Sequence, residues 1–348
     1  MKRTWLISFA SLIACSADHR AAELGEKVFF DPALSHPAGQ ACADCHAPNV
    51  AFRDPESDRS TSAGVLHGRF GVRNAPTLMY ARYVPALHLD PYVGWAGGLF
   101  WDGRGGTLEH QAAFPMLNPV EMNNPDRATV VEVERHASYA GVYCALYGAT
   151  ALDDVDTAFA HVGAVLAAFE RTPKLAPFSS KYDRFVAGEV ALTGSEQRGL
   201  TIFNAHCASC HPPPLFTNFS YANLGIPRYG NNGFYKNDQE LNPAGEGYVD
   251  HGLGAIVHDP AQDGKFRVPT LRNIARTGPY GHNGYFANLP YMLDFLNTRD
   301  SRSPDPAVKP WAPPEIAANV DPRVGHLGLS SRDLDDLDNF LEALTDKH

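Results

Sequence analysis

Beyond its first fourteen residues the chain has no apolar run of 18 residues, no cluster of Lys and Arg, and little strand-like alternation. The first absence argues against a later membrane-spanning helix, which needs about 20 apolar residues. The second argues against nucleic-acid binding, because counterion release requires clustered cations. The balance is in fact acidic, with 39 Asp and Glu against 29 Lys and Arg and a formal charge of −10. Such a surface suits a basic partner protein better. Cysteine is also scarce, at six in 348 residues, so this is no disulfide scaffold. What is present is 44% hydrophobic content in a chain long enough for about two domains with real cores, which argues against intrinsic disorder.

Residues 1–14 read as an export signal, with Lys2 and Arg3 as the charged start and an apolar stretch from Trp5 to Ala14. The run Leu12-Ile13-Ala14-Cys15 resembles the bacterial lipobox, in which the cysteine is lipidated after cleavage. A plain secretory signal cut a few residues later is the alternative. Either way the mature chain is exported. Losing Lys2 and Arg3 takes the formal charge from −10 to −12, and membrane attachment would be by lipid alone.

Four of the six cysteines form two tight pairs, each followed at once by histidine: Cys42-Ala43-Asp44-Cys45-His46 and Cys207-Ala208-Ser209-Cys210-His211. Each copy is preceded by a G-x-x-x-F element, Gly25 to Phe29 and Gly199 to Phe203, so the chain contains an internal repeat. C-x-x-C-H attaches a c-type haem through two thioethers, with the histidine as axial ligand of the iron. Chance supplies about 0.004 such matches in this composition, and two are present. A four-Cys zinc site and a pair of redox dithiols are the competing readings, but neither explains a histidine after each pair. Cys144 stands apart and reads as a buried, unpaired thiol.

Thr193 and Glu196 form a T-x-x-E capping box that opens a helix ahead of the second motif. A further helix is expected from about Asp156 to Glu170, stopping before Pro173. A third begins at Ser331 as N-cap and carries Leu334, Leu337, Phe340, Leu341 and Leu344 on one face. Loops rich in Pro and Gly, such as 212–265 and 300–330, lie between. The expectation is a mainly α protein of two cytochrome c-like domains, each with one covalent haem: 20–172 for the first and 190–348 for the second. The C-terminal segment is expected to return onto the first domain.

Residues 72–122 carry Val72-Arg73-Asn74-Ala75-Pro76-Thr77, Phe100-Trp101-Asp102-Gly103-Arg104, Glu109-His110-Gln111 and Asn118-Pro119-Val120-Glu121-Met122. A second set follows the second haem motif, Val268 to Asn273 and Thr277 to Gly284. With these motifs in this order the chain resembles the bacterial di-haem cytochrome c peroxidase and MauG family over nearly all of its mature length. The resemblance implies that Glu121 is the acid/base over the first haem and Gln111 its positioning partner. It implies that Trp101 lies between the haems as an electron relay, and that Asn74, Thr277 and Pro279 hold a calcium ion. Heterolysis of hydrogen peroxide needs an open iron position and a group that carries a proton from the inner to the leaving oxygen, which a nearby carboxylate can do.

Two positions depart from the family pattern. Val72 stands where many members keep a second axial histidine on the first haem, so that haem is expected to be open without prior reduction, as in MauG; His67, five residues upstream, is the alternative ligand. Leu296 stands where the family places the Met or Tyr that is sixth ligand of the second haem, and leucine cannot ligate iron. Met292, one helical turn earlier, is the substitute candidate. The leading functional expectation is a periplasmic peroxidase that reduces hydrogen peroxide with electrons from a small c-type cytochrome or another exported donor. A MauG-like oxidase of a partner protein's Trp or Tyr is the second, although MauG's tryptophan six residues before the second haem histidine is Ala205 here. A non-catalytic di-haem electron carrier is the third, and it has no use for Glu121 and Gln111.

Overall fold

The computed structural model describes residues 9–56, 60–301 and 309–347, with side chains from Asp18 onward. The expected export signal over 1–14 and the lipid-acceptor Cys15 therefore lie outside the residues whose side chains are described. Among the described residues the helices are α1 (Phe9–Phe29), α2 (Cys42–Cys45), α3 (Leu108–Leu117), α4 (Arg127–His136), α5 (Ala140–Tyr147), α6 (Val155–Glu170), α7 (Lys181–Val186), α8 (Gly194–His206), α9 (Leu253–Val257), α10 (Leu289–Thr298) and α11 (Ser331–Glu342). Sheet is confined to two short antiparallel pairs, β1 (His88–Asp90) with β2 (Gly94–Ala96) and β3 (Tyr221–Ala222) with β4 (Phe266–Arg267). The mainly α expectation agrees with this.

The sequence repeat corresponds to two equivalent helix crossings. α1 packs on α6, and α8 packs on α11. Gly25 lies so close to α6 that a Cβ there would run into the carbonyl of Val165; Gly199 meets the carbonyl of Asp336 in α11 in the same way. Four residues on, Phe29 packs its ring 5.1 Å from Phe169, and Phe203 packs 5.1 Å from Phe340. Glycine is a poor helix former, so its recurrence here reports a close approach of two backbones. Each crossing seeds a hydrophobic cluster. One gathers residues from Leu24 to Ala176 and the other from Phe203 to Leu344.

The helix starts follow local chemistry. Thr193 Oγ1 accepts the Glu196 N–H at 3.2 Å while the Glu196 carboxylate receives the Thr193 N–H, the expected capping box. α6 begins at Val155, with Asp154 as its cap. α11 starts one residue earlier than the sequence suggests: Ser330, rather than Ser331, is the N-cap, because the Asp333 carboxylate accepts the Ser330 N–H at 2.9 Å. α11 itself packs on α8, away from the first cluster, since its Leu337, Phe340 and Leu341 fill the second core. Only the tail beyond it returns to the first half, where Asp346 accepts the Tyr80 hydroxyl at 2.7 Å. Cys144 corrects another expectation. It is exposed on α5 rather than buried, because that short helix turns Tyr143 inward and leaves the next position facing water.

Candidate functional site

Each C-x-x-C-H segment closes one tight turn, with His46 N–H bonded to Cys42 O at 3.0 Å and His211 N–H to Cys207 O at 2.9 Å. The four paired cysteines and both histidines line one continuous cavity. His46 Nδ1 sits 3.1 Å from the carbonyl oxygen of Phe52, and His211 Nδ1 sits 2.9 Å from that of Phe216. Both phenylalanines hold a left-handed backbone, at φ 55° and 53°, which is uncommon for a bulky side chain. Their buried rings anchor the two loops. Donation from Nδ1 to a carbonyl leaves Nε2 as the lone-pair nitrogen, which is how an axial histidine is oriented. Burial lowers the pKa of His46 and pushes that of His211 down to about 4, so both rings are held as the neutral imidazole that binds iron.

The same two loops are braced alike. Thr270 Oγ1 donates to Leu215 O at 2.6 Å, and Thr77 Oγ1 makes the matching bond to Ala51 O. Burial pushes the Cys42 and Cys207 thiols up to about 12, which is the opposite of an activated redox dithiol. None of the described cysteines is in a disulfide. Among the described residues no three of His, Cys, Asp and Glu converge as a metal-binding group.

On the first side of the cavity, α3 presents Gln111, Ala112 and Pro115, and the turn that follows presents Asn118 and Glu121. That turn is held by backbone bonds from Glu121 N–H to Asn118 O at 3.0 Å and from Val65 N–H to Glu121 O at 2.8 Å. Glu121 Oε2 is buried and has no hydrogen-bond partner. Burial raises the Glu121 pKa, opposed by the positive charge of Arg104 and by a bond from Asn118. Arg104 stacks 3.8 Å over the Phe100 ring and pairs with Asp102 at 2.9 Å. Val72 lines the cavity, whereas His67 is exposed and does not.

Between the two motifs, Trp101 lines the cavity and donates its indole N–H to Asn74 O at 2.8 Å. Asn74 is buried, takes His282 O through its backbone N–H at 2.8 Å, and places its side-chain amide against Pro279 O. Thr277 is nearby on the cavity wall. Arg73 joins the halves by a two-pronged pair with Asp250 at 2.7 Å and a contact to Asp102 at 2.6 Å. Burial alone would raise the Asp250 pKa, but Arg73 outweighs it and holds the carboxylate ionised. On the second side, α10 lines the cavity with Met292, Leu293 and Leu296. His282, buried and stacked 3.5 Å on Phe266, adds an unpartnered Nε2; sequence reasoning used it only as a landmark.

A family model described as di-haem cytochrome c peroxidase matches residues 19–191. The methylamine utilization protein MauG of Paracoccus denitrificans is 42% identical, with 95% of this chain and 90% of that protein covered. The cytochrome c551 peroxidase of Nitrosomonas europaea is 32% identical over 79% of this chain and 72% of its own length. The chain belongs to the di-haem cytochrome c peroxidase and MauG family. Among solved structures, the diheme peroxidase BthA of Burkholderia thailandensis superposes with a TM-score of 0.77 at 31% identity, covering 94% of this chain and 86% of that one. Membership makes the chain an oxidoreductase with two c-type haems. The residues fit that cofactor: a largely apolar cavity reaches both motifs, and each holds a neutral histidine with its Nδ1 already bonded.

Proposed function

We propose that this oxidoreductase reduces hydrogen peroxide at the pocket of His46, Gln111 and Glu121, with electrons entering through the haem of His211. The reaction consumes two electrons and two protons per peroxide and yields two waters. Cys42, Cys45 and His46 would hold the first haem, which would supply the iron site and the electrons for breaking the O–O bond. Glu121 takes the proton from the inner oxygen and returns it to the leaving oxygen, a transfer worth about 10²–10⁴ in rate. Its pKa, raised by burial, favours that role, because a more basic carboxylate is a better proton acceptor than an ordinary one. The Gln111 amide orients the peroxide. The observation that carries the reading is the buried, unpartnered Glu121 Oε2 on the cavity wall.

Residues 20–172 and 190–348 are then the peroxidatic and electron-entry haem domains. Trp101, tied by its N–H to the segment that joins them, is the electron relay between the haems. Asn74, Thr277 and Pro279 hold calcium through oxygen atoms, which the contact of the Asn74 side chain with Pro279 O favours once the amide is turned. Met292, on the cavity wall of α10 one turn before Leu296, is the residue that would hold the iron of the second haem on that side. The donor is a small exported c-type cytochrome, met in the periplasm by a chain anchored through Cys15. A second reading, a MauG-like oxidase of a partner protein, is favoured by Val72 on the cavity wall and by the 42% identity to MauG.

The test is to add peroxide to the diferric protein and follow the optical change, then turnover with reduced cytochrome c. Glu121→Gln should slow the optical change by about 10²–10⁴ while both haems stay attached. An unchanged rate removes Glu121 from this role. Rapid reaction with peroxide but no turnover of cytochrome c transfers the conclusion to the second reading.

A further inference from the structure

The internal repeat offers a control for every residue of the first pocket. α6 and α11 occupy equivalent places: Val165 and Asp336 take the glycine contact, and Phe169 and Phe340 take the phenylalanine contact. The positions that follow in register also match. Leu166 and Leu337 both line the cavity, and both are leucine. One residue beyond the phenylalanines the copies diverge, with Glu170 lining the first pocket where Leu341 lines the second. The fold itself is satisfied by leucine at this place, since Leu341 is 3% exposed and packs in its core.

Glu170 is as deeply buried as Leu341, at 3% exposure, and its Oε2 has no hydrogen-bond partner. It is the last residue of α6, where the helix dipole is negative and disfavours a carboxylate. Arg171 favours its ionised form, but that guanidinium is turned onto Glu109 of α3 at 2.7 Å, and Glu109 itself repels a second negative charge. The Cys42 thiol of α2 lies within electrostatic reach of both Glu170 and Glu134 of α4. Glu26 of α1 points outward onto Lys174. Burial outweighs Arg171 and pushes the Glu170 pKa up to about 8. A carboxyl with an unpartnered oxygen, buried in a cofactor pocket, costs stability, and the equivalent site shows that the packing does not require it.

We propose that Glu170 is a proton-holding carboxyl of the first haem pocket, absent from the second, that couples this haem's oxidation state to proton uptake. Reduction removes a positive charge from the iron and raises the carboxyl's proton affinity, and oxidation lowers it. Each electron gained is accompanied by a proton gained at Glu170, and each electron lost by a proton released. The first haem's midpoint potential therefore falls as pH rises through the window between the two affinities, while the second haem's does not through this route. The inference rests on haem attachment at Cys42, Cys45 and His46 and not on the peroxide reading.

The experiment is spectroelectrochemical titration of the di-haem protein between about pH 5 and pH 9, comparing wild type with Glu170→Gln, Glu170→Leu and Glu121→Gln. Haem content per chain is measured on the same samples. The first haem's potential should depend on pH in the wild type, and its slope should fall further in Glu170→Gln than in Glu121→Gln, with the second haem unchanged throughout. Glu170→Leu, which copies the second pocket, should match the Gln variant; if it fails to fold, the near-isosteric Gln variant decides. A wild-type potential independent of pH overturns the proposal, as does an undiminished slope in Glu170→Gln or loss of the slope in Glu121→Gln alone. Absence of the first haem would overturn haem attachment itself, a separate failure visible in the haem content.

Discussion

Glu134 of α4 has 0% exposure, and no geometrically good hydrogen bond reaches either carboxylate oxygen. Burial pushes its pKa up to about 8, opposed by the Tyr143 hydroxyl and reinforced by Asp31. In the unfolded chain the group ionises near 4.5, so between there and about 8 the folded state binds the extra proton. Stability is therefore present at low pH and is lost as pH rises through that window. Glu134→Gln should be the more stable protein at pH 8, by on the order of 2–4 kcal/mol, with the advantage vanishing near pH 4. Denaturant midpoints at the two pH values check this. Neither Glu134 nor Glu170 was legible in the sequence. A glutamate near a helix end reads as a solvated charge, and only the packing of α4 and α6 buries these two. Glu121 and Gln111 were legible because they sit in motifs, and the structure places both on the cavity wall. Cys144 was misread for the converse reason, since nothing local distinguishes the two faces of a short apolar helix.

At the scale of elements, the two glycine crossings are the most demanding contacts. Gly199→Ala would drive a methyl group into the Asp336 carbonyl, and a backbone cannot yield as a side-chain tip can. The variant should lose about 1–3 kcal/mol, the usual cost of overpacking, read as a lowered denaturation midpoint with unchanged haem content. Ala at position 194, also glycine but at the first turn of the same helix with only the flexible tip of Arg198 nearby, should be nearly neutral. The G-x-x-x-F repeat was visible in the sequence, yet its meaning was not, because the partner helices α6 and α11 lie far along the chain. The capping residues of α8 and the span of α6 were readable from local chemistry alone. α11 slipped by one residue where two serines adjoin and the Asp333 carboxylate selects the first.

Across the whole molecule, buried ion pairs join the two halves to each other, as Arg73 to Asp250, and to the segment between them, as Arg272 to Asp183. Arg272, fully buried, donates to both oxygens of Asp183 at 2.9 and 2.8 Å and to Pro214 O at 2.7 Å, and its guanidinium lies 4.3 Å from the Phe178 ring and 4.8 Å from that of Tyr80. Asp183→Ala would leave that cation buried without its main partner. The expected loss is about 3 kcal/mol, at the lower end of such deletions, because Asp346 remains 4.0 Å away. Chemical denaturation followed at both haem bands should show the halves losing stability together. None of these pairings follows from periodicity, since Arg73 and Asp250, or Tyr80 and Asp346, meet only once two separately packed clusters are set against each other.

The two helix crossings also impose an order on folding. In each half the cysteine pair is made before its closing helix, α6 or α11, and the crossing joins segments separated by most of that half's length. Loop closure over such distances is slow relative to local helix formation. Cys207 and Cys210 stay half-exposed even with α11 docked, so their thioethers can form on either side of that slow step.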